Sequence, residues 1–352
     1  MIRVALRQFR TESIVGIALL VTVAIVLAVT GVHLAHVYNA FMSQCGSASA
    51  CANASNPVQN VDKPLQGVLP ILVIAAPALL GFFFGAPLIA RELENGTYRL
   101  AWTQSVTRKR WLATKFGVVG VFAMVFAGLL TWMVDLWARP LMAANGNRFD
   151  PLIFSIQGVA PVGYAALAVA VGVAAGVLLR HTVAAMAVTG VVFAAARVAF
   201  TYVVRPHFAS PVHLLLPLRA GSGPSIGFSN AGGGSVVLGP PQITIPNAWV
   251  FQTGLVDRLG RAPTSQYVAQ ACPSLNRAVH AFSAAGGQIG SGPSNSQIQA
   301  CLSRLATSVH TAVTYQPANR FWPFQFTEMG VFLAGGLALG VFAYWWLHRQ
   351  YA

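Results

Sequence analysis

Six predominantly apolar stretches, each about twenty residues long, recur along the chain. They run roughly from Gly16 to Tyr38, Leu69 to Ala90, Phe116 to Ala138, Ile156 to Leu179, Thr182 to Val204 and Thr327 to Leu347. Each is long enough to cross the hydrocarbon core of a bilayer as a helix. The pattern predicts an all-α integral membrane fold with six transmembrane helices. Because six is even, both termini lie on one side.

Charge fixes which side that is. Arg3, Arg7, Arg10, Arg91, Arg99, Arg108, Lys109, Arg110, Lys115, Arg180 and Arg349 fall on the side of the termini. Lys63, Arg139 and Arg148 fall in the short loops opposite. Basic residues collect in cytoplasmic loops, so the N- and C-termini are expected in the cytoplasm. Segment 1–13, in which Ile2, Val4, Leu6 and Phe9 mix with three arginines, reads as a short amphipathic helix on the inner surface or as a plain basic flank. The expected division is therefore 1–13, transmembrane helices one to five over 14–204 with a cytoplasmic loop at 91–115, an extracellular segment at 205–326, and helix six with its tail at 327–352.

Composition agrees. The chain of 352 residues is 55% hydrophobic and 9% charged, about a third of the charged share of a soluble domain, which excludes a disordered chain or an ordinary cytosolic enzyme. The net charge of +14 follows the loop pattern, so it reads as orientation and attraction to membrane lipid, not nucleic-acid binding.

The four cysteines, Cys45, Cys51, Cys272 and Cys301, all fall in segments expected outside. An even count on the oxidising side suggests two disulfides, most simply Cys45–Cys51 and Cys272–Cys301. Ala220–Pro241, rich in Gly, Ser and Pro, reads as a loop. Gln252–Val313 carries helical periodicity through Val256, Leu259, Tyr267, Leu275, Val279 and Phe282, and through Ile298, Leu302, Leu305 and Val309. A small helical extracellular cap, stapled by Cys272–Cys301, is expected between helices five and six.

Catalytic chemistry has little to stand on. No G-x-x-x-x-G-K-[ST], HExxH or GxSxG motif occurs, so no catalytic residue, metal site or cofactor is assigned to this chain. His33 and His36 share a helix face; a metal site or interfacial histidines are the two readings. Asp135 and Arg197 fall inside spans three and five at similar depth, so they are expected to pair, as a gate or a structural pin. Glu328 opens span six and either caps its helix or lines a substrate path. Gly172/Gly176 and Gly336/Gly340 permit close helix packing, and Pro77 and Pro87 predict a kink in span two.

The segment between spans two and three is the most informative. After Arg91, Glu92 and Glu94 comes the break Asn95-Gly96, a partly apolar stretch Thr97–Trp102, and a basic re-entry at Thr107–Lys115. Leu93, Leu100 and Trp102 would be exposed to the cytosol unless a partner covers them. In this segment the chain resembles the ABC-2 type permeases, in particular actinobacterial six-span subunits, through Glu92-x-x-x-Gly96-Thr97, the run Trp102–Arg108 and Trp111–Lys115. A second patch, from Tyr315 through Arg320-Phe-Trp-Pro-Phe-Gln to Glu328, is also similar.

The resemblance implies a permease subunit of an ATP-binding cassette exporter in a bacterial plasma membrane. It further implies a separate P-loop ATPase holding ATP and Mg, and a second permease copy, the same chain or a sister subunit. It places ATPase docking on Glu92, Glu94, Gly96, Thr97, Arg99, Trp102 and Arg108. The apolar spans suit an amphipathic, lipid-like or drug-like cargo. The alternative is a non-transporting sensor or anchor whose extracellular cap binds a ligand.

Overall fold

A computed structural model of the chain describes residues 9–45, 57–96, 107–145, 147–218, 224–229, 235–241, 243, 245–284 and 294–350. In chain order the helices begin with α1 (Arg10–Cys45) and α2 (Lys63–Leu80). A π-helical turn (Gly81–Gly85) leads from α2 into α3 (Ala86–Glu94). Next come α4 (Arg108–Asn145), α5 (Pro151–Ile156), α6 (Ala160–Leu179) and α7 (Thr182–Ala199), the last continued by a second π turn (Phe200–Val204) and a 3-10 turn (Arg205–His207). Strands β1 (Val212–Pro217), β2 (Pro224–Ser229), β3 (Ser235–Pro241) and β4 (Trp249–Asp257) follow. Then come α8 (Ser265–Ala271), α9 (Pro273–Ala284), α10 (Asn295–Leu305), β5 (Val309–Gln316) and α11 (Phe321–Gln350). The chain divides into two compact units, Met1–Ala209 with Asn319–Ala352, and Ser210–Ala318.

Among the described residues six stretches are long and apolar enough to cross a membrane, all but the first residue of the last lying in the first unit: Ser13–Gln44, Lys63–Glu94, Lys109–Ala143, Ala160–Leu179, Thr182–His207 and Ala318–Gln350. Their outward faces are as apolar as their inward ones. Val29, Ile71, Val183, Val191, Leu337 and Val341 are all exposed, as expected of helices with lipid outside and protein inside. Helix α6 is the axis of the unit: 72% of its apolar stretch is buried, against 11–44% in the other five. It packs against α2, α3, α4, α7 and α11.

Glycine makes the closest of these contacts. A Cβ on Gly172 would lie 2.6 Å from Ala86 N and 2.7 Å from Gly81 O, and one on Gly81 would lie 2.5 Å from Ala168 O. Gly172 thus receives the backbone of the first π turn, and Gly176 that of the start of α3. That turn has its own sequence cause. Pro87 has no N–H to continue the regular ladder, and Ala86 N–H bonds back five residues to Gly81 O.

The second unit corrects the expectation of a helical cap. It is mixed α/β. β5 lies between β1 and β4 in an antiparallel three-stranded sheet, and β2 pairs with β3 in a separate hairpin. The segment Ala220–Pro241, read as loop, holds that hairpin. Val309, Thr311 and Val313 are buried on one face of β5 while His310, Ala312 and Thr314 alternate with them, the period-two pattern of a strand. Leu259, assigned to a helical stripe, sits in the turn after β4 and is exposed. The core combines Val236, Leu255 and Val309 with Val268, Leu275, Val279 and Leu305 from the helices. The expected Cys272–Cys301 disulfide is present and joins the α8–α9 corner to α10. The expected Cys45–Cys51 pair and residues 1–8 of the amphipathic segment lie outside the described residues.

Candidate functional site

Both ends of α6 are held by side chains from neighbouring helices. Before its first turn the chain passes through Gly158, whose φ of 67° is left-handed and whose Cβ would lie 2.9 Å from the Gln325 amide. Glycine is required there on both counts. The N–H groups at this end have no partner within the helix. Gly158 N donates to Asp135 Oδ2 of α4 at 3.0 Å; Val159 N and Ala160 N donate to Gln325 Oε1 of α11 at 3.1 and 2.9 Å. Gln325 Nε2 then donates to Phe154 O at 2.9 Å. Gln325 therefore caps α6, and Asp135 holds the residue that leads into it.

One turn further along α11, Glu328 is fully buried. Its Oε2 accepts from Arg205 Nε at 2.8 Å. Its Oε1 accepts from Arg205 Nη2 at 2.8 Å, from Arg197 Nη1 at 3.2 Å and from the Tyr164 hydroxyl. Arg205, also fully buried, donates in addition to Pro151 O at 3.2 Å and Ser155 Oγ at 3.1 Å. Its guanidinium lies 4.3 Å from the Phe154 ring centroid, and that of Arg197 lies 3.5 Å from the Tyr164 ring centroid. Two guanidiniums and one carboxylate leave the cluster at +1 with Tyr164 neutral. Four donors thus converge on this one carboxylate, three on Oε1 and one on Oε2. These bonds join α5, α6, α7 with its continuation, and α11.

This arrangement overturns two expectations. Asp135 and Arg197 are not paired; Arg197 goes to Glu328, and Asp135 accepts from one backbone donor, Gly158 N. Nor does Glu328 cap its helix, because α11 begins at Phe321 and Glu328 lies two turns inside it. Arg205, Tyr164, Ser155 and Gln325 were not singled out from the sequence. The sequence alone carries no signal for Arg205, because its aim depends on the π turn. Residues eight apart on a regular helix differ by about 80° around the axis; one extra residue in a π turn reduces this to about 20°. Arg197 and Arg205, with the second π turn between them, are thereby aimed at one carboxylate.

The other end of α6 meets the end of α3. Arg180 closes α6 with a left-handed φ of 56° and donates to the Gln350 side chain. Glu94 Oε2 accepts from Thr182 N at 2.9 Å and Thr182 Oγ1 at 2.7 Å, which caps the start of α7; its Oε1 lies 3.6 Å from His181 Nδ1. Glu92 forms an ion pair with Lys115 of α4, and Lys115 Nζ lies 5.2 Å from the Trp111 ring centroid. Leu93, expected to be exposed, is buried. Helix α3 stops at Asn95 and Gly96; Gly96 has φ 71° and open space around its Cβ position, the usual left-handed helix terminator. Of the remaining docking candidates, Thr97, Arg99 and Trp102 lie outside the described residues, as does the side chain of Arg108, which opens α4. Glu92 and Glu94 are thus tied within the bundle, one to α4 and one to α7.

His33 and His36 are exposed on α1, and among the described residues no three His, Cys, Asp or Glu side chains gather as a metal site. The second unit has a cleft of about 470 Å³ of its own, lined by Leu238, Gln252, Gly254, Val256, Ala312 and Thr314 among others.

No curated protein and no solved structure matches this chain. A family model described as ABC-2 membrane transporter related matches residues 17–205. The match takes in the first five spans, both π turns and the connection after Glu94, and it ends on Arg205. Covering more than half of the chain, with six apolar helices around it, that match places the protein in the ABC-2 membrane transporter related family, as a permease-type membrane transport component.

Proposed function

We propose that the chain is the permease subunit of an ATP-binding cassette exporter in the plasma membrane, driven by a separate ATPase that carries ATP and Mg. The supporting observation is the construction at the end of α3. The segment from Asn95 to Thr107, matched by the family model, leaves a helix whose last two carboxylates are fixed to α4 through Lys115 and to α7 through Thr182. A force entering through that segment reaches three spans at once. The docking surface is assigned to Gly96, Thr97, Arg99, Trp102 and Arg108, with Glu92 and Glu94 as the ties that pass the load on.

With the termini in the cytoplasm, ATP-driven closure of two ATPases would press on this end of a pair of permease copies. Rigid-body tilting would then move the side to which a cavity between the copies opens. The ATPase must bind the two permease states with different affinity for the cycle to do work. The cargo fitting spans this apolar is amphipathic or lipid-like.

The experiment is purification of the tagged chain from its native host in mild detergent, with mass spectrometry of the proteins it retains. A stoichiometric P-loop ATPase, lost from Gly96→Pro while the variant elutes as the folded protein does, is the expected result. Proline cannot adopt the φ of Gly96, and the open space around it keeps the change local. A native preparation with no ATPase overturns the reading.

The cleft in the second unit supports the alternative, a ligand sensor or anchor. It lies within the size range of small-molecule sites. ATPase association without cargo movement in sealed vesicles would favour it.

A further inference from the structure

A second cleft, of about 250 Å³, opens in the first unit between the start of α1, the first π turn, α3 and the start of α4. Its walls are apolar: Phe9, Phe83, Phe84 and Leu88. The aromatic part is rigidly built, with Phe9 edge-on to Phe84 at 5.4 Å and to Phe122 at 5.1 Å. Its mouth is charged, with Arg91, Glu92 and Lys115. Lys115 and Glu92 neutralise each other. Arg91 is exposed and has no ion-pair partner among the described residues, so the mouth carries one uncompensated positive charge. Lys109 and Arg110, exposed on the first turn of α4, add to the field without lining the cleft.

We propose that this cleft holds an anionic phospholipid, with its phosphate on Arg91 and an acyl chain along Phe83 and Leu88. Three features choose that occupant. Arg91 follows directly on the apolar run that ends at Ala90, where hydrocarbon gives way to headgroups in a spanning helix. Phe83 is 55% exposed on the outer surface of the same span, so the apolar wall continues into the acyl region and the cleft is reached sideways from the bilayer. A cation over an apolar slot at the basic end of a bundle matches an anionic lipid of the cytoplasmic leaflet, whereas a soluble anion would leave the slot unfilled. The inference concerns lipid held by the protein, not cargo moved by it, and stands whether or not an ATPase partner exists.

The test is native mass spectrometry of the full chain in detergent, titrated with palmitoyl-oleoyl phosphatidylglycerol or the matching phosphatidylcholine. The wild type is expected to retain phosphatidylglycerol at least fivefold better. Arg91→Gln should abolish that preference, and Val118→Trp, which fills the slot because Val118 of α4 lines it, should lower retention of both lipids. Lys109→Gln, outside the cleft, should keep the preference. Equal retention of the two lipids by the wild type overturns the proposal. So does an undiminished preference in Arg91→Gln, or an equal loss in Lys109→Gln, which would mean general surface attraction. Full displacement of phosphatidylglycerol by inorganic phosphate would assign the site to a soluble anion and overturn it as well.

Discussion

Adding one methyl group at Gly172 should cost this protein more than the same change at the other glycines of α6, Gly163 and Gly176. The new Cβ would stand 2.6 Å from Ala86 N, 2.7 Å from Gly81 O and 2.8 Å from Gly85 C. Backbone atoms cannot rotate away as a side chain would, so α6 and the first π turn must separate. Overpacking of this kind costs about 1–3 kcal/mol, and contact with backbone alone argues for the upper end. Against it, alanine in a helix interior gains about 1 kcal/mol over glycine, leaving a net loss of about 2 kcal/mol. Gly330→Ala is the internal control. Gly330 is also inside a helix, α11, but nothing lies within 4 Å of its added Cβ, so it should show the propensity gain alone. The two variants should differ by about 3 kcal/mol, or about 6–12 °C at roughly 2–4 °C per kcal/mol. Fluorescence-detected size exclusion after heating in detergent reads this directly. Midpoints within 2 °C of each other would refute the claim that the glycine contact is closed by necessity.

Three further outcomes follow from the geometry. Glu328→Gln leaves two guanidiniums without their counter-charge and should destabilise the first unit by about 3–5 kcal/mol; Arg205→Met added to it should recover much of that loss in the same heating assay, and a double variant no better than the single one would rule out charge imbalance as the cause. The Cys272–Cys301 disulfide spans 29 residues, which corresponds to about 3.5 kcal/mol of loop entropy. Reduction should therefore expose the second unit to limited proteolysis while the six-span unit stays intact, and unchanged cleavage would contradict this. Asp257 accepts from Arg261 N at 2.9 Å and Leu259 N at 2.8 Å, and these bonds, Arg261 first, hold its carboxyl below the usual range. The stabilisation it supplies is therefore present above the ordinary carboxylate pKa and is lost as pH falls through the lowered one. Acid titration of proteolytic resistance should show a downward step below about pH 4 that Asp257→Asn lacks; identical profiles would count against the turn's dependence on that carboxylate.

The spans were legible because length and apolarity alone specify them. The segment with strands was not. Val256 and Leu259 fall at helical spacing, but Val309, Thr311 and Val313 alternate, and a β-branched run of that length is strand-like. Weighing propensity against periodicity would have separated β4 and β5 from α8–α10. At the site, Asp135, Arg197 and Glu328 were all visible as charges within apolar helices. Their partners were not, because pairing depends on helix phase. The π turn after Ala199 adds a residue that no hydropathy pattern records, and it brings Arg205 into the cluster. Likewise Glu92 and Glu94 stood out as charges, yet their partners Lys115 and Thr182 lie on other helices and are assigned by packing alone.

The order of strands in the second unit carries a consequence for its biosynthesis. β5 is central, between β1 and β4, yet it is the last strand in the chain. From Val212 to Gln316 about a hundred residues must emerge before β1 has a neighbour. At about 5–20 residues per second that wait is on the order of 5–20 s, with an unpaired strand edge available to another chain throughout. Gln316 is followed almost at once by the apolar span that starts at Ala318. Closure of the sheet and insertion of the final helix therefore fall in the same few seconds, and a delay in either one prolongs the exposure of the other.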